Sequence, residues 1–130
     1  MFLGTFSPAL ASTGQVALPT KLRSALGSDR AIITTGFDKC VNGFSIEDWK
    51  RIVDQEILNR PISSEEGRKV RHQMFANAVE IDLDEQGRFV IPEVLRKFAG
   101  VKEGITFVGA GDHFEIWDKD EWLSYSSTFK

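Results

Sequence analysis

The stretch 84-DEQGRFVIP-92 has an earlier counterpart in the same chain, 11-ASTGQVALP-19. Each holds a glycine at its fourth place, a short strand-like run, and a closing proline. Glycine tolerates the left-handed backbone of a tight turn. Proline suits the start of a helix, where the first amides have no partner anyway. The two copies decide the fold because they belong to a longer repeat. Shifted by 73 residues, Gly14 meets Gly87, Pro19 meets Pro92, Leu22 meets Leu95 and Arg23 meets Arg96. Gly27 then meets Gly100, Gly36 meets Gly109 and Trp49 meets Trp122, so that positions 14–49 align without a gap. The matching residue types are those that fix backbone and core, which marks a duplication.

Each unit reads in the same order. A turn opens a strand, Gln15–Leu18 or Arg88–Ile91, and the proline then starts a short helix. Leu22, Ala25 and Leu26, and their mates Leu95, Phe98 and Ala99, form one helical face that ends at Gly27 or Gly100. Two β-rich segments follow, with Gly36 and Gly109 near their hairpin turns. A capped helix closes each unit: Ser45 with Asp48 before Trp49, Ile52, Val53 and Ile57, and Asp118 before Trp122. Between the units, Ser63 and Glu66 have capping-box spacing ahead of a helix over 64–77 that carries Val70, Met74 and Ala78 on one side. The divisions expected are a first repeat over 5–50, a helical connector over 51–77, a second repeat over 78–123 and a tail over 124–130. A unit of about 45 residues is too small to bury a sound core alone. The two must complete one another about a pseudo-twofold axis, giving a mainly β protein with peripheral helices (α+β): one intertwined β-barrel with the connector outside.

The bulk composition suits this. The chain has 130 residues, 42% of them hydrophobic, with 10 phenylalanines and 3 tryptophans. Its net charge of -3 argues against a surface that grips nucleic acid by bulk basicity. The charge is uneven: residues 1–46 carry net +2 (Lys21, Arg23, Arg30 and Lys39 against Asp29 and Asp38), whereas residues 81–130 carry net -4. Any anion site must be local. Cys40 is alone, which excludes an intrachain disulfide and a cysteine zinc cluster. The run "PALAS" imitates a signal-peptidase site but lacks a basic stretch before it, and no apolar run reaches transmembrane length. A cytoplasmic protein is expected.

The pattern D-x-x-x-R with a glycine before the arginine, then strand and proline, set out twice across a helical connector, resembles the MraZ family. The resemblance extends from 1-MFLGTFSPAL-10 through 114-FEIWD-118 to Trp122. It implies two AbrB-type swapped-hairpin repeats. It also implies a bacterial transcriptional regulator, nucleoid-associated, acting at the start of a cell-division and cell-wall gene cluster. Members form closed homo-oligomeric rings and bind repeated promoter elements in double-stranded DNA through the arginines of the two loops. By position, Arg88 is the matching DNA-contact residue, Asp84 the matching acid and Gly87 the turn. The first loop departs from the pattern, with Ala11 in place of the acid and Gln15 in place of the arginine.

Arginine at such a turn suits a phosphate or a guanine edge, because its fork binds two acceptors at once. The competing reading is a local Asp84–Arg88 ion pair that pins the turn, worth about 0–1 kcal/mol when exposed. Gln15 can hydrogen-bond an adenine edge or a phosphate but releases no counterion. Lys21 and Arg23 on the first short helix can flank the loops and touch phosphates; Arg96 and Lys97 read rather as solvated helix surface. Asp82 and Asp84 share a strand face and would serve as an acid–base pair in an enzyme, but no substrate-pocket motif accompanies them. His72 and His113 lack metal-ligand spacing, and His113 is the mate of Cys40. No cofactor, metal, membrane or small-molecule ligand is expected. Two functions remain: a ring-forming DNA-binding regulator, or a ring-forming scaffold whose DNA binding has weakened.

Overall fold

The structure, a computed structural model, describes residues 1–129. The first repeat contains β1 (Thr5–Phe6), β2 (Gln15–Ala17), α1 (Thr20–Leu26), β3 (Arg30–Thr35), β4 (Val41–Phe44) and α2 (Ile46–Ile52). A π-helical turn (Val53–Ile57) and α3 (Glu65–Phe75) form the connector. The second repeat contains β5 (Val79–Asp82), β6 (Arg88–Val90), α4 (Glu93–Ala99), β7 (Ile105–Gly109), β8 (Phe114–Asp118) and α5 (Lys119–Ser126).

The strand pairing carries the duplication into three dimensions. The main sheet has the order β1-β7-β8-β4-β3-β5, and β2 and β6 form a separate two-stranded ribbon. Exchanging each strand for its repeat mate turns that order into its own reverse. The axis passes between β4 and β8, where the mates Asn42 and Glu115 face one another. A second pair of mates, Val16 and Phe89, faces across the ribbon. Each repeat also lends a strand to the other: β1 pairs with β7, and β5 pairs with β3.

Among the described residues the ladders do not close into the single barrel expected from sequence; β1 and β5 remain edges of an open sheet. The ribbon stops short because Leu18 and Ile91 are each followed by a proline, which has no N–H for a further rung. The last ribbon bonds run from the Leu18 N–H to the Gly87 carbonyl (2.9 Å) and from the Ile91 N–H to the Gly14 carbonyl (3.0 Å). The chain then turns into α1 or α4. Each proline lies one place earlier than a first helical residue: Pro19 and Pro92 are extended N-caps, and their carbonyls accept the N–H of Arg23 (2.9 Å) and Arg96 (3.0 Å). Both helices end at a left-handed glycine, Gly27 and Gly100, as the sequence predicts.

One core serves both repeats. Val16, Leu22 and Ile33 from the first are buried in the same cluster as Phe89, Leu95 and Ile105 from the second. Three fully buried rings, Phe2, Phe107 and Phe114, lie at its centre. Phe114 stands 5.5 Å from Phe2 and 6.1 Å from Phe107, centroid to centroid. Its ring occupies the space a side chain would need at Gly43, its partner across β4 and β8. Phe98 leaves the helical face assigned to it and is exposed, unlike its neighbours Leu95 and Ala99.

The connector packs through Ile57 and Met74 against Phe44 of β4 and Ile52 of α2. The hydroxyls of Thr34 and Thr35 donate to the carbonyls of Met74 (2.8 Å) and Gln73 (2.7 Å), which ties the end of α3 to β3. Two caps stand where expected: Ser45 accepts the Asp48 N–H (3.0 Å) and Asp118 accepts the Glu121 N–H (3.1 Å). The cap of α3 is Ser64, which accepts the Gly67 N–H at 3.0 Å, and not Ser63. A turn closed by the Ser64 N–H on the Pro61 carbonyl (3.2 Å) sets it one residue later. The helix ends at Phe75, leaving Ala78 outside it. Of the expected stripe, Trp49, Ile52 and Ile57 pack in one cluster and Val53 lies outside it; the π turn at Val53–Ile57 brings Ile57, five residues after Ile52, back onto that cluster.

Candidate nucleic-acid interface

At the second loop, Asp84 acts on its own turn. One carboxylate oxygen accepts the backbone N–H of Gln86 (2.9 Å) and of Arg88 (2.8 Å); the other accepts the Arg88 Nε–H at 2.7 Å. The Arg88 N–H and guanidinium together hold the Asp84 carboxyl below its ordinary range. The Asp84 N–H meets the Arg88 carbonyl (3.0 Å), and the Gly87 N–H returns to the Asp84 carbonyl (2.9 Å). Gly87 takes the positive φ of 76° that the turn demands. Arg88 is thus aimed by its neighbour while its side chain stays 47% exposed.

The first loop keeps this backbone without the charges. The Ala11 N–H meets the Gln15 carbonyl (3.0 Å), the Gly14 N–H meets the Ala11 carbonyl (2.9 Å), and Gly14 has a φ of 89°. No carboxylate at position 11 receives the amides of Thr13 and Gln15 that correspond to Gln86 and Arg88. Gln15 lies opposite Val90, and Ala17 opposite Arg88, so both loops reach the outer face of one ribbon.

Arg23 has a different place from the one its sequence position suggests. From α1 of the first repeat it crosses to the second loop, donating to the carbonyls of Glu85 (3.1 Å) and Asp84 (3.3 Å) and to the Asp29 carboxylate (3.4 Å). Its chain packs against Gly87. The mate Arg96 crosses in the opposite sense: a side chain at Gly14 would collide with its guanidinium. Lys21 is exposed on the first turn of α1, beside Gly4 and Phe6, apart from this group. Arg88, Asp84, Gly87 and Arg23 are brought together, Gln15 stands across the ribbon, and Lys21 does not join them.

A family model described as "MraZ protein, putative antitoxin-like" matches residues 1–71 and 74–130. The chain belongs to the MraZ family. The match spans both repeats, and the swapped pairing of β1 with β7 and of β5 with β3 is the structural form of that two-repeat organisation in this MraZ chain. Among the described residues no helix is long and apolar enough to cross a membrane.

The other candidate groups have structural partners. Asp82 pairs with Arg30 (3.4 Å) and Asp84 with Arg88 (2.7 Å), so each acid faces its own arginine and not the other acid. His113 sits between Asp112 (Nδ1, 2.8 Å) and Glu115 (Nε2, 2.9 Å), and Glu115 also accepts the Trp117 indole N–H at 2.9 Å. Sequence reasoning missed this cluster, although the spacing of Asp112, His113 and Glu115 was visible. It borders a cleft of about 350 Å³ whose other walls include Asp38, Cys40, Glu56 and Arg60. Burial, with help from Glu115 and Asp38, pushes the Cys40 thiol well up, so it stays protonated. Burial also disfavours the His113 imidazolium, but hydrogen bonds to Glu115 and Asp112 outweigh it and raise the pKa above the ordinary 6.5. The stabilisation is therefore complete below about pH 6.5 and is lost as pH rises through the higher folded value. Denaturant midpoints are expected to fall over that window, and His113→Gln should flatten the fall. An equal decline in the variant would remove His113 as its source.

Proposed function

We propose that this chain is a sequence-specific DNA-binding transcriptional regulator, working as a closed ring of identical subunits on repeated promoter elements of a cell-division and cell-wall gene cluster. The observation that carries this reading is Arg88: an exposed guanidinium at the end of a ribbon, oriented by Asp84 on a turn that two repeats build jointly. Such a group is ready to bind the two acceptors of a guanine edge without ordering cost at the moment of contact. The ribbon and sheet enclose one core and serve as two layers of an intertwined barrel that fixes the loops. An acidic chain can bind DNA in this way because a ring turns many copies of one loop toward the duplex, and effective concentration multiplies weak contacts. The protein would then work in the cytoplasm, on the nucleoid, with no catalytic role.

The lost charges at Ala11 and Gln15 favour a second reading, a ring scaffold with weakened DNA binding. A mobility-shift assay with the DNA just upstream of the gene separates the two. Sequence-dependent binding there supports the regulator; intact rings that bind no DNA at low salt support the scaffold. Gln15→Arg should tighten binding and steepen the plot of log K against log salt by about 0.9 for each phosphate gained. Unchanged affinity and slope would show that the first loop does not face the backbone.

A further inference from the structure

The two crossing arginines are repeat mates with unlike surroundings. The fork of Arg23 is used up by two carbonyls of the second loop and by Asp29. Arg96 lies over Gly14 in the first loop, and among the described residues its guanidinium has no ion pair or side-chain hydrogen bond. The residue 73 places beyond Asp29 is Lys102, so a cation stands where the acid partner would be. Arg96 and Lys102 line one surface hollow of about 640 Å³, together with Ala11 and Ser12 of the loop. Lys97 is on the same wall but is bound to Glu93 at 3.0 Å; Glu93 also attracts Arg96 from a distance, and Glu103 is the second acid on the rim, so three cations face two acids. The acid that closes the second loop from within is also missing at Ala11. The second loop therefore neutralises itself, while the first gathers cations of which Arg96 and Lys102 have no ion pair among the described residues.

We propose that Arg96 and Lys102 form a phosphate-binding site beside the first loop, supplying the charge that Gln15 lacks. This rests on the DNA-binding reading for its ligand, a backbone phosphate, but the site's chemistry would bind any polyanionic phosphate. The halves of the interface then divide the work: Arg88 discriminates sequence, and Arg96 with Lys102 anchors the duplex without regard to sequence.

The test compares the full-length chain with the double variant Arg96→Gln/Lys102→Gln and with Arg96→Lys. Two quantities are measured: the salt dependence of binding to upstream DNA and to a scrambled duplex, and the affinity for inorganic tripolyphosphate by calorimetry. The double variant should show a slope shallower by about one to two units per bound subunit. Its preference for upstream over scrambled DNA should be kept, and its tripolyphosphate affinity should fall at least about tenfold. Arg96→Lys retains the charge and should keep the wild-type slope and most of the tripolyphosphate affinity, whereas a mere brace over Gly14 would leave tripolyphosphate binding unchanged even in the double variant. Tripolyphosphate binding that depends on Arg96, in a chain that binds no DNA, would defeat the DNA reading and leave the phosphate site standing. A double variant matching wild type in both measurements overturns the proposal.

Discussion

Arg88→Ala is expected to remove the preference for upstream over scrambled DNA and to weaken binding about tenfold to a hundredfold at each loop. A bidentate guanine contact discriminates by about 1–3 kcal/mol, and 1.4 kcal/mol is a factor of ten. The loss multiplies across the copies that engage one DNA molecule, so band shifts at low protein concentration should vanish altogether. Arg88→Lys separates charge from geometry. Lysine keeps the counterion release but not the planar fork, so the salt slope should persist while discrimination falls. The fold should tolerate both changes, because the Asp84–Arg88 pair is exposed and screened by solvent. Wild-type affinity and selectivity in Arg88→Ala would refute the assignment of Arg88 as the reading residue.

Phe114→Ala should have the largest effect on stability. The ring is fully buried between Phe2 and Phe107 and sits over Gly43, where no side chain can swell to refill the space. Phenylalanine-to-alanine changes in such sites cost about 3–5 kcal/mol, a large share of the 5–15 kcal/mol that holds a domain together. Denaturant unfolding at fixed subunit concentration should show a much lower midpoint with an unchanged slope. Phe37→Ala, at a ring 64% exposed, provides the contrast and should cost under about 0.5 kcal/mol. A loss below about 1 kcal/mol at Phe114 would mean that the core relaxes around the cavity.

The features legible from sequence were local. Gly14 and Gly87 mark turns because their positive φ is costly for any other residue. Ser45 and Asp118 cap helices through bonds that span three residues. Ser63 misled because Glu66 gives it capping-box spacing, whereas the true cap, Ser64, has Gly67 at that place; the Pro61 turn selects Ser64. Phe98 misled because its helical face runs past the edge of the core. Arg23 reads in the sequence as a cation flanking the loops, since nothing nearby reveals a bond to a loop 61 residues away. The exchange of Asp29 for Lys102 was visible in the repeat alignment, but its meaning depends on which loop each arginine crosses to.

By itself, the sequence determined the duplication, the two turns, the helices that follow each proline, and the asymmetry between a charged and an uncharged loop. These depend on backbone preferences and short-range bonds, which act within a few residues. The tertiary structure alone decided that each repeat completes the other's sheet, that the strands stop short of a closed hydrogen-bonded barrel, and that Arg23 braces the second loop while Arg96 is left unpaired over the first. Two hairpins of like pattern offer comparable local pairings. The choice between pairing within a repeat and across repeats is made by burial of the shared core, to which residues far apart in the chain contribute together.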